Sequence, residues 1–213
     1  MLLTKRYLLG IFLIISIYEI IVTIIDFQFK SAVWDYFNTE VAVNAYLSNY
    51  ASFTGIVATL CLLFGINNIQ RKLGMTASLI LLPVLVVVAV LALKFNPGVI
   101  SILFWIMVFA KAVNYALNQP TLKQLYIPTT KDTKYKAQAW IEMFGSRGAK
   151  AIGSYINTFK KTFIGSYGAA AGAAGFLMLT TITSLGLVAV WFFVALFVSR
   201  TYNKAVEEKR VVC

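Results

Sequence analysis

The chain contains no histidine. Imidazole acid–base chemistry and histidine-ligated metal sites are therefore excluded. Cysteine is scarce as well. Cys61 falls within an apolar run and Cys213 is the last residue. Neither has a ligand-like neighbour, so neither a structural disulfide nor a thiolate metal site is expected. Charge is thin, at 13% of residues, and only 8 acidic groups stand against 19 Lys and Arg. No pair of catalytic carboxylates and no nucleophile–base set can be assembled from these groups, which argues against an embedded enzyme. No cofactor is called for. No low-complexity linker divides the chain, and no stretch reads as a soluble domain.

What the sequence has in abundance is apolar surface. Of 213 residues, 60% are hydrophobic, and the mean hydropathy is +0.78. A soluble domain carries roughly 45–50% apolar residues. Six runs approach the roughly 17–25 residues that cross a bilayer. They lie at about 7–26, 45–66, 75–95, 98–118, 137–159 and 175–198. Long uninterrupted runs, rather than short alternating ones, favour helices over a closed barrel. The expected fold is an all-α membrane protein with six transmembrane helices in one domain. The run at 137–159 is the weakest, because it is rich in glycine and polar residues. Lys5 and Arg6 ahead of the first run raise the possibility of a signal peptide. That run is longer than a usual signal core and contains Glu19, so it reads as a retained first span.

The net charge of +11 does not point to nucleic acid, because the cations form no single basic domain. They cluster between apolar runs, where they set orientation in the membrane. With the N-terminus in the cytoplasm, Lys5, Arg6, Arg71, Lys72, Lys123, Lys131, Lys134, Lys136, Arg200, Lys204, Lys209 and Arg210 all fall inside. Only Lys30, Lys94, Lys160 and Lys161 fall outside. Both termini are thus expected in the cytoplasm, with bacterial inner membrane as the location. The adjacent pair Lys160–Lys161 is an exception this rule does not explain. Residues 119–136, interrupted by Pro120 and Pro128, are expected to be a cytoplasmic connection, and NNIQRKLG at 67–74 a short basic turn.

Ionisable groups inside spans are costly when they face lipid, so they mark interior or water-filled surfaces. Glu19, Asp26, Lys111, Glu142, Arg147 and Lys150 are such groups. With Glu142 at zero, Gly153, Ser146, Asn157, Lys150, Ser154 and Arg147 fall at about 20, 40, 60, 80, 120 and 140° around a helix. The opposite arc holds Phe144, Gly145, Gly148, Ala149, Ala151, Ile152, Tyr155 and Ile156, a surface expected to pack closely. Glu19, Thr23, Asp26 and Lys30 form a second polar stripe in the first span, and Lys111, Tyr115 and Asn118 a third in the fourth. Polar stripes on several helices imply a cavity between them. Arg147 and Lys150 make that cavity suited to an anion, the first as a planar fork for phosphate oxygens and the second as a point charge. Plainer readings stand beside this one. Glu142 pairs with Arg147 or Lys150 to lock helices, Lys111 snorkels to the interface, and Asp26 and Lys30 are merely interfacial.

Residues 114–154 include NYALNQP, LYIP, KAQAWIE and GSRGAK, and residues 24–30 read IIDFQFK. In this order and spacing they resemble the nucleotide transporter family of ADP/ATP translocases, the type found in intracellular bacteria and plastids. The resemblance covers the whole chain, as the C-terminal half of a twelve-helix carrier. It implies a major-facilitator-like half that exchanges ATP for ADP by alternating access. The nearest alternatives are a carrier of another anionic metabolite on the same fold and a non-transporting remnant. It places Asp26 on a substrate-related acidic position and Lys150 on a lysine position, with Arg147 beside that lysine and Glu142 one turn earlier. The chain departs from the family pattern with Asp where Glu is usual at 26, Asn114 for a basic residue and Lys123 for an acidic one. The expected substrate-contacting set is Lys150, Arg147, Asp26, Glu142, Asn118 and Lys111. Because one half cannot enclose a midplane site, a second six-helix half or a homodimer is the expected partner.

Overall fold

The computed structural model describes the backbone of residues 5–63 and 66–212 and, outside 66–73, their side chains. Cys213 and the side chains of Arg71 and Lys72 lie outside the described residues. The chain folds into α1 (Arg6–Phe37), α2 (Glu40–Leu63), α3 (Ile66–Phe95), α4 (Ile100–Val113), α5 (Gln119–Gln124), α6 (Lys131–Trp140), α7 (Arg147–Tyr167) and α8 (Ala169–Glu207). Two π-helical segments, Asn114–Asn118 and Ile141–Ser146, join α4 to α5 and α6 to α7 without a break. No strand occurs among the described residues. Pro120 gives a reason for the first π segment. Its ring would clash with the carbonyl four residues earlier in a regular helix, and a widened turn relieves that contact.

Five helical stretches among the described residues are long and apolar enough to cross a bilayer: Arg6–Phe37, Glu40–Leu63, Gly74–Phe95, Ile100–Gln124 and Ala169–Glu207. They coincide with five of the six expected runs. The sixth, expected at 137–159, is helical throughout and belongs to a continuous rod over 131–167. At 1.5 Å per residue that rod is about 55 Å long, ample to span a membrane. Its polar side chains keep its hydropathy below that of the other five. The short connections differ from expectation. Residues 66–73 are helical rather than a turn, and the break comes at Gly74, whose φ of 81° suits glycine. The connection expected over 119–136 shrinks to 125–130, because α5 and α6 claim its flanks. Thr130 begins α6 by accepting a hydrogen bond from the Thr133 amide at 3.4 Å.

α1 is the central helix, packed against α7, α8 and α2. Its buried side is mostly aliphatic, with Tyr7, Tyr18 and Phe29 among the branched chains: Leu8, Ile11, Ile14, Ile21 and Ile24 are sealed from solvent. Trp191 of α8 is also fully buried and meets Tyr18 edge-on, with ring centroids 5.9 Å apart. Large apolar groups on the outside, such as Leu63, Phe193 and Ile182, are what a lipid-facing surface requires.

The contact between α1 and α7 uses small residues. Gly145, Ala149 and Gly153, spaced by four, are buried together. A Cβ on Gly153 would sit 2.8 Å from Thr23 Cβ and 2.9 Å from the Ile20 carbonyl oxygen. One on Gly145 would sit 2.9 Å from the Phe12 ring. Such stripes let helix backbones approach closely. This corrects the packing face. Phe144, Gly148, Ile152 and Tyr155 of the apolar arc are exposed, and the buried stripe runs along its edge, at about 300 to 20° on the same wheel. The helix therefore turns one flank of polar groups inward and leaves its aromatic flank uncovered.

Tyr7 donates its hydroxyl to the Leu125 carbonyl at 2.6 Å, and the Val212 amide donates to the Pro128 carbonyl at 2.8 Å. Both ends of the described chain and the 125–130 connection thus share one end of the bundle. The turns at Asn38, Pro97–Gly98 and Gly168 lie at the other.

Candidate functional site

Glu19 and Asp26 straddle the middle of α1. Helix rise places them about 4 and 7 Å on either side of its centre. Together with Thr23 and Lys30 they form one wall of a cleft of about 540 Å³. The second wall is Lys111, Asn114, Tyr115 and Gln119, from the α4–α5 rod, and the third is Lys150, Ser154 and Asn157, from α7. Its size lies within the range of small-molecule sites. Three cations, Lys30, Lys111 and Lys150, face two carboxylates, Glu19 and Asp26, which leaves an excess of one positive charge.

The two carboxylates are engaged differently. Asp26 gives one oxygen to Lys30 at 2.6 Å and the other to Lys111 at 2.8 Å. The Lys111 ammonium also sits 5.1 Å from the Tyr50 ring centroid, so it is held from two sides. Glu19 lies only 3.7 Å from Lys150 and is fixed instead by the Ser146 hydroxyl, which donates to it at 2.9 Å. The Glu19 side chain is 17% exposed, whereas that of Lys150 is 57% exposed. Lys111 is thus a committed cation and Lys150 a loosely held one.

The six residues expected to contact substrate are therefore not all together. Lys150, Asp26 and Lys111 line the cleft. Asn118 is buried, and its amide donates to Asn114 at 2.9 Å. The π segment explains the exchange of Asn118 for Gln119, since its extra residue shifts the helical phase beyond Asn114, while Asn114 stands one ordinary turn after Lys111. Glu142 is exposed and accepts from Gln138 at 3.0 Å, rather than pairing with Arg147 or Lys150. It lines a smaller pocket of about 190 Å³ with Glu19, Lys123, Tyr126 and Ser146, nearer the terminal end of the bundle. Burial raises the Tyr126 phenol above its ordinary range, with the Glu142 carboxylate adding to the effect, so that hydroxyl stays protonated. Arg147 is exposed, lies outside the cleft wall and forms no ion pair among the described residues. One plainer reading pairs Glu142 with Arg147 or Lys150. The structure gives Lys150 to Glu19 instead, because Glu19 stands at its level on the adjoining helix.

Glu19, Asn114, Gln119 and Lys30 complete the site. Glu19 and Lys30 were visible as members of the first-span stripe, but nothing in spacing says which cation a carboxylate on another helix will meet. Among the described residues no group of three or more Cys, Asp or Glu side chains could hold a metal ion.

The sequence matches the TLC ATP/ADP transporter family over residues 1–96 and 89–202. It is 27% identical to ADP,ATP carrier protein 1 of Rickettsia typhi over 178 residues, 74% of this chain and 36% of that protein. It is 24% identical to ADP,ATP carrier protein 4 of Rickettsia bellii, covering 97% of this chain and 43% of the relative. Against ADP,ATP carrier protein 2 of Chlamydia trachomatis it is 25% identical, covering 97% of this chain and 41% of the relative. The chain therefore spans about two fifths of the length of these relatives. No solved structure matches it. A family match over most of the chain, relatives named as carriers and a charged cleft among apolar helices agree: the chain is a multi-pass membrane protein that belongs to the TLC ATP/ADP transporter family.

Proposed function

We propose that the chain forms one six-helix half of a nucleotide carrier that exchanges ATP for ADP by alternating access. The observation that carries this reading is the unequal pairing in the cleft. Lys150 is held at 3.7 Å by a carboxylate that has another partner, so an anion can take it over. A phosphate group arriving in the cleft displaces Glu19 from Lys150, and Glu19 keeps its bond from Ser146. When substrate leaves, Glu19 returns and neutralises Lys150, which lowers the cost of an empty charged site in a poorly solvating environment. Asp26, Lys30 and Lys111 form the scaffold that keeps the cleft positive. Asn118 fixes Asn114 on the cleft wall. Arg147 and Glu142 lie beyond that wall, where a covering partner brings them toward the phosphates and the pocket near the termini.

The partner is a second six-helix half or a second copy of this chain. Lys150, Arg147 and the aromatic flank of α7 are uncovered, and lipid solvates such charges poorly. Rocking of the two halves around the cleft would expose it alternately to each side. The membrane is the bacterial inner membrane, with the shared end of the termini and residues 125–130 in the cytoplasm, in line with the lysine distribution.

The test is uptake of labelled ADP, ATP and other nucleotides into cells or proteoliposomes containing the protein with any native partner. ADP and ATP should enter faster when the vesicles are preloaded with nucleotide. Correctly inserted protein that moves no nucleotide would contradict the proposal.

A further inference from the structure

The pair Lys160–Lys161 breaks the charge rule that fits the rest of the chain, and the structure separates its two members. Lys160 turns into the bundle. It bonds to the Ser31 hydroxyl, lies 4.0 Å from Asp35 and 6.0 Å from the Phe27 ring centroid, and its side chain is only 22% exposed. Lys161 lies about 100° farther round the helix and is exposed. Eleven residues beyond Lys150 on the unbroken α7 helix, it falls about 20° from Lys150 around the axis and about 16 Å farther along it. It lies a similar angle from Ser154, so it continues the stripe that lines the cleft. Lys161 is exposed and has no ion-pair partner among the described residues.

Across from it on α1 stands Lys30, which lines the cleft toward the same end and is half exposed. Asp26 divides one negative charge between Lys30 and Lys111, so that trio keeps a net positive charge. The end of the cleft farthest from the termini is therefore cationic on both α1 and α7. We infer that Lys161, with Lys30 opposite, forms a docking site for phosphate groups at the mouth of the cleft, from which a nucleotide passes inward to Lys150. This rests on the transport reading above. It names the first contact of that substrate, made by Lys161, which the deeper site does not use, together with Lys30 at the outer edge of the cleft. Two like charges facing a low-dielectric cleft concentrate anions and speed their capture, in a salt-dependent manner. Lys160, spent on Ser31 and Asp35, belongs to the packing between helices.

The experiment uses the protein in its membrane with any native partner. Initial rates of labelled ADP uptake are measured against ADP concentration at low and high salt, for wild type, Lys161→Gln and Lys161→Glu. Lys161→Gln should raise KM by about threefold to fivefold, with Vmax within a factor of about two, and should flatten the salt dependence. Lys161→Glu should raise KM further. Unchanged KM and salt dependence would overturn the proposal. So would a loss of Vmax that tracks protein level at constant KM, the result expected if Lys161 only anchors α7 at a lipid headgroup. A second measurement separates this site from the transport reading. In a background without Cys61 and Cys213, Gly165→Cys, one turn beyond Lys161 on the same helix and with open space around it, is alkylated by an impermeant thiol reagent with and without pyrophosphate, with Lys161 kept. Protection by pyrophosphate supports the docking site even if wild type moves no nucleotide, whereas unprotected labelling counts against it.

Discussion

Asp26 uses both carboxylate oxygens on ammonium groups, while Glu19 keeps one for a hydroxyl and reaches its lysine only at 3.7 Å. These arrangements predict different phenotypes. Replacing Asp26 with Asn leaves Lys111 partly buried beside Tyr50 without its counter-charge. We expect a loss of about 1–3 kcal/mol, below the figure for a fully buried pair because both side chains keep some exposure. It would be read as a lower thermal midpoint in detergent. The double substitution Asp26→Asn with Lys111→Met should regain part of that loss. Wild-type stability for Asp26→Asn would remove the pair from the scaffold. Glu19→Gln should leave the midpoint nearly unchanged, since the Ser146 bond survives, and should tighten ADP binding by removing the anion that competes for Lys150. Equal or weaker binding with normal yield would contradict that competition.

At the scale of the element, α7 rests on small residues. Gly153→Ala forces a methyl group to within 2.8 Å of Thr23 Cβ and 2.9 Å of a backbone carbonyl. Backbone cannot rotate away as a side chain can, so we expect a cost of about 1–3 kcal/mol. Gly165→Ala, on the same helix with nothing within 4 Å, should equal or exceed wild type. Denaturation in detergent monitored by circular dichroism compares the two, and an equal effect would refute close packing at Gly153. Most helices were legible in the sequence because apolar runs of sufficient length admit few other structures. The 131–167 rod was legible only through the angular clustering of its polar groups. Its packing edge was not, because Gly145 and Gly153 fall at the border between polar and apolar arcs. The π segments were also hidden. A helical wheel assumes constant phase, so it placed Asn118 where the structure puts Gln119. The pairing of Lys150 with Glu19 was beyond reach for a further reason: it depends on how α1 and α7 align along their axes, which neither helix specifies alone.

At the scale of the whole molecule, the bonds from Tyr7 to Leu125 and from Val212 to Pro128 gather both ends of the chain and the central connection at one end of the bundle. In a background without native cysteines, Thr130→Cys and Asn203→Cys should react with an impermeant thiol reagent from one side of the membrane, and Gly98→Cys from the other. Labelling of Thr130→Cys and Gly98→Cys from the same side would contradict the arrangement. The cleft opens on charged and aromatic surface that this chain alone leaves uncovered, so the proposed partner, a second half or a second copy, should be trapped by crosslinking in native membranes.

The central claim is that Lys150 is the cation that takes the nucleotide's phosphates and that Glu19 stands in for them when the cleft is empty. The most direct measurement is labelled ADP binding and uptake by wild type, Lys150→Gln and the double variant Lys150→Gln with Glu19→Gln, each normalised to inserted protein. Lys150→Gln should insert at close to the wild-type level and lose binding by about tenfold or more, as expected for a charge-assisted contact worth roughly 1.5–3 kcal/mol. The double variant should remain equally inactive, because removing the stand-in does not restore the cation. Recovery of ADP binding and uptake in the double variant would contradict the account, showing that Lys150 serves only to neutralise Glu19.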